Sequence, residues 1–140
     1  MNARTVLVTH EGIEYRGQIA EIESTHLGYE DHGIYTWNLG FRGPGWGQGT
    51  GHRAVDTPVQ KDGKFSHREG CAFGMQSIID VLQVVGVDRW EDLKGKRAII
   101  LREDDYGDVK GLANILDEEK VIVFTGRVDA WKEAHNGQIT

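Results

Sequence analysis

The sequence predicts an α+β fold: an antiparallel, β-sheet-rich single domain with one main amphipathic helix and a short second helix. Three observations carry this prediction. Runs of β-branched and aromatic residues recur between turn signals, and only one stretch keeps a helical period. The 140 residues suit one domain around one core. Residues 1–124 form the expected α+β unit and residues 125–140 a C-terminal tail.

The elements follow in order. "RTVLV" (4–8) reads as a short strand, and "GQIAEIEST" (17–25) shows a period of two. "GIYTWNLGF" (33–41) supplies Ile34, Tyr35, Trp37, Leu39 and Phe41, which suit a strand with one buried face. Together they read as an antiparallel meander. Between the last two runs stand Glu30, Asp31 and His32, next to Gly33. Neighbouring side chains on a strand point to opposite faces, so Asp31 and His32 cannot readily grip one ion. A polar turn is the plainer reading.

"GFRGPGWGQGTGHRAVD" has glycine at 40, 43, 45, 47, 49 and 51. It reads either as a long mobile hairpin connection or as backbone that approaches a ligand closely, and as a lid. "HRAVD" (52–56) returns as a strand, and "DTPVQKDGKF" reads as a turn. The main helix is expected from Glu69 to Gly86, with Cys71, Met75, Ile78, Ile79, Leu82 and Val85 on its buried face and Gly86 as its stop. Asp88 is placed to cap the short second helix with Glu91 in a capping box, anchored by Trp90 and Leu93. "RAIILRE" (97–103), "DVKGLANIL" (109–117) and "KVIVF" (120–124) read as further strands. In the tail, "RVDAWKEAH" either docks as a short helix through Trp131 or frays.

Composition excludes several classes of function. A formal charge of −6 opposes binding of long nucleic acid. No apolar run approaches the roughly 20 residues of a spanning helix, so no membrane partner is expected. With Cys71 the only cysteine, no disulfide or multi-thiolate metal site can form within one chain, and a reducing compartment fits. The histidines show no HxH, HxxxH or HExxH spacing, so no metal is expected. GxSxG, GxGxxG and GxxxxGK[ST] are all absent. Cys71, on an apolar helix face, is expected to be inert. Acid–base work by Glu30, His32 and Asp56 stays open.

What remains is a binding site of mixed parts. Tyr29, Tyr35, Trp37, Phe41 and Trp46 surround the acidic turn and the glycine run, and Gln48, His52, Arg53 and Arg68 add donors. Lys94, Lys96, Arg97, Arg102 and Lys110 cluster in the second half. Aromatic faces beside arginine forks suit a nucleobase joined to phosphate. Singly, each aromatic can equally be core and each arginine solvated.

The set "LGYEDHGI", "GWGQGTGHRAVD" and "REGCAFGMQSIIDVLQVVGVDRWEDLKGKRAIILR" resembles the phage Thoeris anti-defence proteins of type one, over roughly residues 27–116. The resemblance implies a phage-encoded sponge in the cytosol of the infected bacterium. Such a protein holds cyclic ADP-ribose isomers, the signals of host TIR enzymes, without cleaving them, and so inhibits Thoeris defence. It also implies uptake of cyclic di- or trinucleotides by some members, a homo-dimer or higher homo-oligomer, and no cofactor. The family's contacts are an aromatic, polar groups and arginines. Carried onto this chain they give Phe73, Met75, Asp88, Arg97 and Arg102 as candidates, beside Lys110 from the basic cluster, Gln48, His52 and Arg68 from the mixed site, and His32 from the acidic turn. The chain departs from the family at Cys71–Ala72 and in the acidic "REDDYGD" turn. The rival readings are a phosphodiesterase or glycohydrolase using the acidic turn, and a phage protein-binding module.

Overall fold

The structure is a computed structural model describing residues 5–30 and 33–124. Asp31, His32 and the tail, for which a short helix docked by Trp131 is one expectation, lie outside the described residues. Ten strands, one α-helix and one 3-10 turn make up the described part, and every strand pair is antiparallel. No described helix is long and apolar enough to cross a membrane.

Strand β1 (Thr5–His10) turns at Glu11–Gly12, both with positive φ, into β2 (Ile13–Tyr29). That two-residue turn has the twist a right-handed hairpin needs. Strand β8 (Arg97–Arg102) lies along one edge of β2, over Arg16–Glu21. The other edge takes β1 and, further along, β3 (Tyr35–Gly43). Beyond β8 come β9 (Gly111–Ala113) and β10 (Val121–Val123); beyond β3 come β4 (Trp46–Gly49) and β5 (Arg53–Ala54). Register slips between Ile22 and Ser24, so Phe41 pairs with even-numbered Ile22 whereas Leu39 and Trp37 pair with odd-numbered Thr25 and Leu27.

Helix α1 (Ala72–Val85) covers one face of this sheet. Ile22, Trp37, Leu39, Phe41, Ile100, Leu112 and Ile122 gather there with Val81 and Val84. On the opposite face Val8, Tyr15, Ile99, Leu101 and Ala113 form a second cluster. Ile99 and Leu101 belong to one cluster and Ile100 to the other, as alternation along β8 requires.

The helix departs from the sequence expectation in its start and its face. It begins at Ala72, and Cys71 is its cap rather than a member of the apolar face. The thiol accepts from the Gly74 amide (3.4 Å) and donates to Val55 O (3.6 Å). Gly74, Ser77, Val81 and Val84 form the buried line; Ile78, Leu82 and Val85 pack against the core as expected, while Met75 is 58% and Ile79 37% exposed. Size explains the rotation. A β-carbon at Gly74 would run into the Val55 backbone, so only a glycine lets the helix approach this closely. Gly86 ends the helix at φ 89°, its amide and that of Val87 both returning to Leu82 O.

Two further expectations are corrected. The second helix is a single 3-10 turn, Trp90–Asp92, and its cap is Arg89 rather than Asp88. Arg89 grips the Asp92 carboxylate (3.0 and 3.2 Å), a local clamp that replaces the capping box. Leu93 is fully buried and Trp90 packs against the main core, as expected. The stretch read as a turn at 56–65 belongs to a hairpin of β6 (Asp56–Lys61) and β7 (Lys64–Gly70). Its true turn is Asp62–Gly63, again both at positive φ. This hairpin pairs with no strand of the main sheet. The glycine run is likewise ordered as the β3–β4 hairpin around Pro44–Gly45.

Candidate functional site

A cavity of about 300 Å³ opens where β3, β5, the base of the β6–β7 hairpin and the first turns of α1 meet. Trp37, Pro58, Phe73 and Phe124 give it apolar walls, and His52, Arg53, Asp56, Arg68 and Ser77 give it polar ones.

Pairing places the pieces. Arg53 stands opposite Trp37 in the β3–β5 ladder, so both side chains share a face. The guanidinium of Arg53 lies 4.8 Å over the Phe124 ring, and Trp37 meets Phe124 edge-on at 5.6 Å. Trp37 Nε1 donates to Ser77 Oγ (3.0 Å), and Ser77 donates on to Gly74 O (2.6 Å). The indole is thereby held by β3 at one end and by α1 at the other.

The two arginines differ in their partners. Arg68 donates through Nε (3.1 Å) and Nη2 (2.8 Å) to Asp56 Oδ1, and Asp56 Oδ2 accepts the Tyr35 amide (3.1 Å). Burial of the Asp56 carboxyl pushes its pKa up. The Arg68 hydrogen bonds, the Tyr35 amide and the Arg68 charge together outweigh that, and the pKa falls below the ordinary carboxylate value. Arg53 Nε, by contrast, is buried with no hydrogen-bond acceptor among the described residues. Burial lowers its pKa, and the charge of Asp108 offsets part of that. A buried guanidinium N–H without an acceptor costs stability unless something supplies one. Arg53 as a whole lines the cavity, where its positive charge favours an anion.

His52 lines the same cavity with Nδ1 3.2 Å from Thr36 Oγ1 and 3.7 Å from the Glu30 carboxylate. His26 meets its ring edge-on at 5.7 Å. Among the described residues no group of three histidine, cysteine or acidic side chains could hold a metal ion.

Three of the ten residues picked from the sequence therefore line this cavity: His52, Arg68 and Phe73. Gln48 and Arg102 come together elsewhere. Arg102 gives Nε and Nη2 to Gln48 Oε1 (3.0 and 2.6 Å) and Nη1 to Gln18 Oε1 (2.8 Å), with its face over Trp46 (5.1 Å). Gln48 in turn donates to Gly107 O (3.1 Å). Arg102 thus fastens β8 to β2 and β4. Met75, Asp88 and Arg97 are exposed and outside the cavity, and Lys110 is half-buried beyond the end of β8. His32 lies outside the described residues. No residue of 40–51 lines the cavity, so the glycine run is not its lid.

Arg53 and Trp37 were legible as a donor and an aromatic but not as a pair. Phe124 and Ser77 carried no signal, because each looks like an ordinary core or helix residue. Compared with known proteins, the chain matches no family model, no curated protein and no solved structure.

Proposed function

We propose that the chain is a sponge for a cyclic nucleotide signal of the cyclic ADP-ribose type, binding it intact in the cavity between β3, β5 and α1. The carrying observation is Arg53, without an ion pair among the described residues, in a cavity wall shared with Trp37, Phe73 and Phe124. Rings would pack on the aromatic walls, and a phosphate would meet Arg53, with Arg68 and His52 at its side. The motif resemblance points the same way, to an anti-defence role against TIR signalling, and cyclic oligonucleotides are a further ligand class to test.

Capture at nanomolar level requires about −12 kcal/mol. A cavity of about 300 Å³ stands at the small end for a ligand of that size, so part of the ligand would project. A second reading has one observation in its favour: His52 and Glu30 stand 3.7 Å apart at the rim, a spacing open to acid–base work on a bound nucleotide. One experiment separates the readings. The protein is incubated with a cyclic ADP-ribose isomer, free signal is assayed, and the sample is heat-denatured and assayed again. A sponge depletes the signal and returns it unchanged, whereas an enzyme returns product. Signal that is never depleted contradicts both.

A further inference from the structure

The base of the β6–β7 hairpin forms one wall of the cavity, and the hairpin's register decides which side chains continue that wall outward. Asp56, Pro58 and Arg68 line the cavity. Pro58 stands opposite Arg68 in the ladder, so the face they share is the ribbon's inner face. Alternate residues of β6 keep to one face, so Gln60 follows Pro58 on the inner side, one step further from the base.

Along β7, plain alternation from Arg68 would turn Ser66 inward and Phe65 away. The hairpin does otherwise. Asp62 and Gly63, at φ 54° and 76°, make a two-residue turn that sets Lys61 opposite Lys64 and Gln60 opposite Phe65. Val59 stands opposite His67, so Ser66 is the extra residue of a β-bulge. A bulge re-aims the side chains beyond it. This one puts Phe65 on the inner face with Gln60, Pro58 and Arg68. Phe65 keeps 65% of its surface in water and stands outside the cavity, whose own aromatic walls are Trp37, Phe73 and Phe124. Two residues of strand carry it about 7 Å beyond the level of Pro58.

We infer that Phe65 and Gln60 form an outer subsite, in which Phe65 packs on the ring face of whatever part of the nucleotide the cavity leaves outside. A cavity of about 300 Å³ leaves such a part projecting, and the inner face of the hairpin is the surface it meets next. Stacking on an aromatic plate tolerates any base, and the Gln60 amide can both donate to and accept from a ring edge. The bulge is what makes this possible, since an unbulged ladder would aim the ring at solvent on the far side of the ribbon. This subsite rests on the cavity being the binding site proposed above.

The test is titration calorimetry of the full chain with a cyclic ADP-ribose isomer and with cyclic di-AMP, on the wild type, Phe65→Ala and Phe65→Trp, with melting temperatures measured alongside. A ligand that the wild type binds should bind Phe65→Ala about tenfold more weakly and Phe65→Trp as before. All three proteins should melt together, because the ring is exposed. Phe65→Ala binding as tightly as the wild type overturns the outer subsite and leaves the cavity reading standing. Loss of affinity in both variants, with lower melting temperatures, also overturns it, since Phe65 would then support the hairpin rather than touch the ligand. A wild type that binds neither ligand sinks the cavity reading and the subsite with it. Should Phe65→Ala fail to fold, amide hydrogen exchange on the wild type decides. Slower exchange at Gln60 and Phe65 when ligand is added supports the contact, and unchanged exchange overturns it.

Discussion

Trp37 Nε1 donates to Ser77 Oγ at 3.0 Å, in the buried seam between β3 and α1. With the close approach at Gly74, this bond sets the helix's rotation, and it holds an aromatic wall of the cavity. Ser77 is a polar residue on a helix line otherwise filled by Gly74, Val81 and Val84, and the indole N–H is the reason it is there. Ser77→Ala leaves that N–H buried and unpaired. It should cost about 1–3 kcal/mol, read as a lower urea midpoint with an unchanged slope.

Close approach at Gly74 yields a second prediction. Alanine is the better helix former by about 1 kcal/mol, yet a β-carbon at 74 would strike the Val55 backbone. Gly74→Ala should therefore destabilise, by about 1–3 kcal/mol net. Gly70 has nothing within 4 Å of its would-be β-carbon, so Gly70→Ala should be tolerated. Thermal melts of the two variants side by side check this.

The Asp56 carboxyl predicts how stability follows pH. Its pKa is lower in the folded chain than in the unfolded one, so the unfolded state takes up protons first as pH falls. The stabilisation is complete above the ordinary carboxylate value and is lost as pH drops through the lowered folded value. Asp56→Asn should cost about 1–3 kcal/mol at neutral pH, since Arg68 keeps a carbonyl but loses its charge partner. The gap between variant and wild type should close in strong acid, measured as melting temperature against pH.

Arg102 is one of the basic residues the sequence offers as a ligand, and its contacts give it a structural role. Its three donors meet Gln48 and Gln18, and its face covers Trp46. Arg102→Ala should lower stability by about 1–3 kcal/mol and leave nucleotide affinity within error. Chemical denaturation and a binding titration on the same variant separate the two effects.

The sequence was most readable where a pattern is local. Alternation marked β2, runs of β-branched, aromatic and aliphatic residues marked β3 and β8, and Gly86 marked the helix end, because such signals follow from a few adjacent residues. Two kinds of feature were hidden. The face of α1 was read only in part: Ile78, Leu82 and Val85 do pack on the core, but Met75 and Ile79 outrank Gly74 and Ser77 in hydrophobicity, whereas close approach to Val55 and the Trp37 N–H decide which line is most buried. The β6–β7 strands, with polar and exposed side chains, show no buried face to read. The cavity depends on contacts such as Arg53 with Phe124, 71 positions apart in the chain, and no spacing rule reaches that far. The same distance explains why Arg102, grouped by the sequence with Arg97 and Lys110 in one half of the chain, stood among the candidate ligands.

Titration calorimetry with cyclic ADP-ribose isomers and cyclic oligonucleotides, on the wild type and Arg53→Ala, tests the central claim most directly. The wild type should release or absorb heat with at least one of them, and Arg53→Ala should bind that ligand more weakly by about 1–3 kcal/mol while staying folded. Absence of heat with every ligand, or affinity untouched by loss of Arg53, would contradict the account.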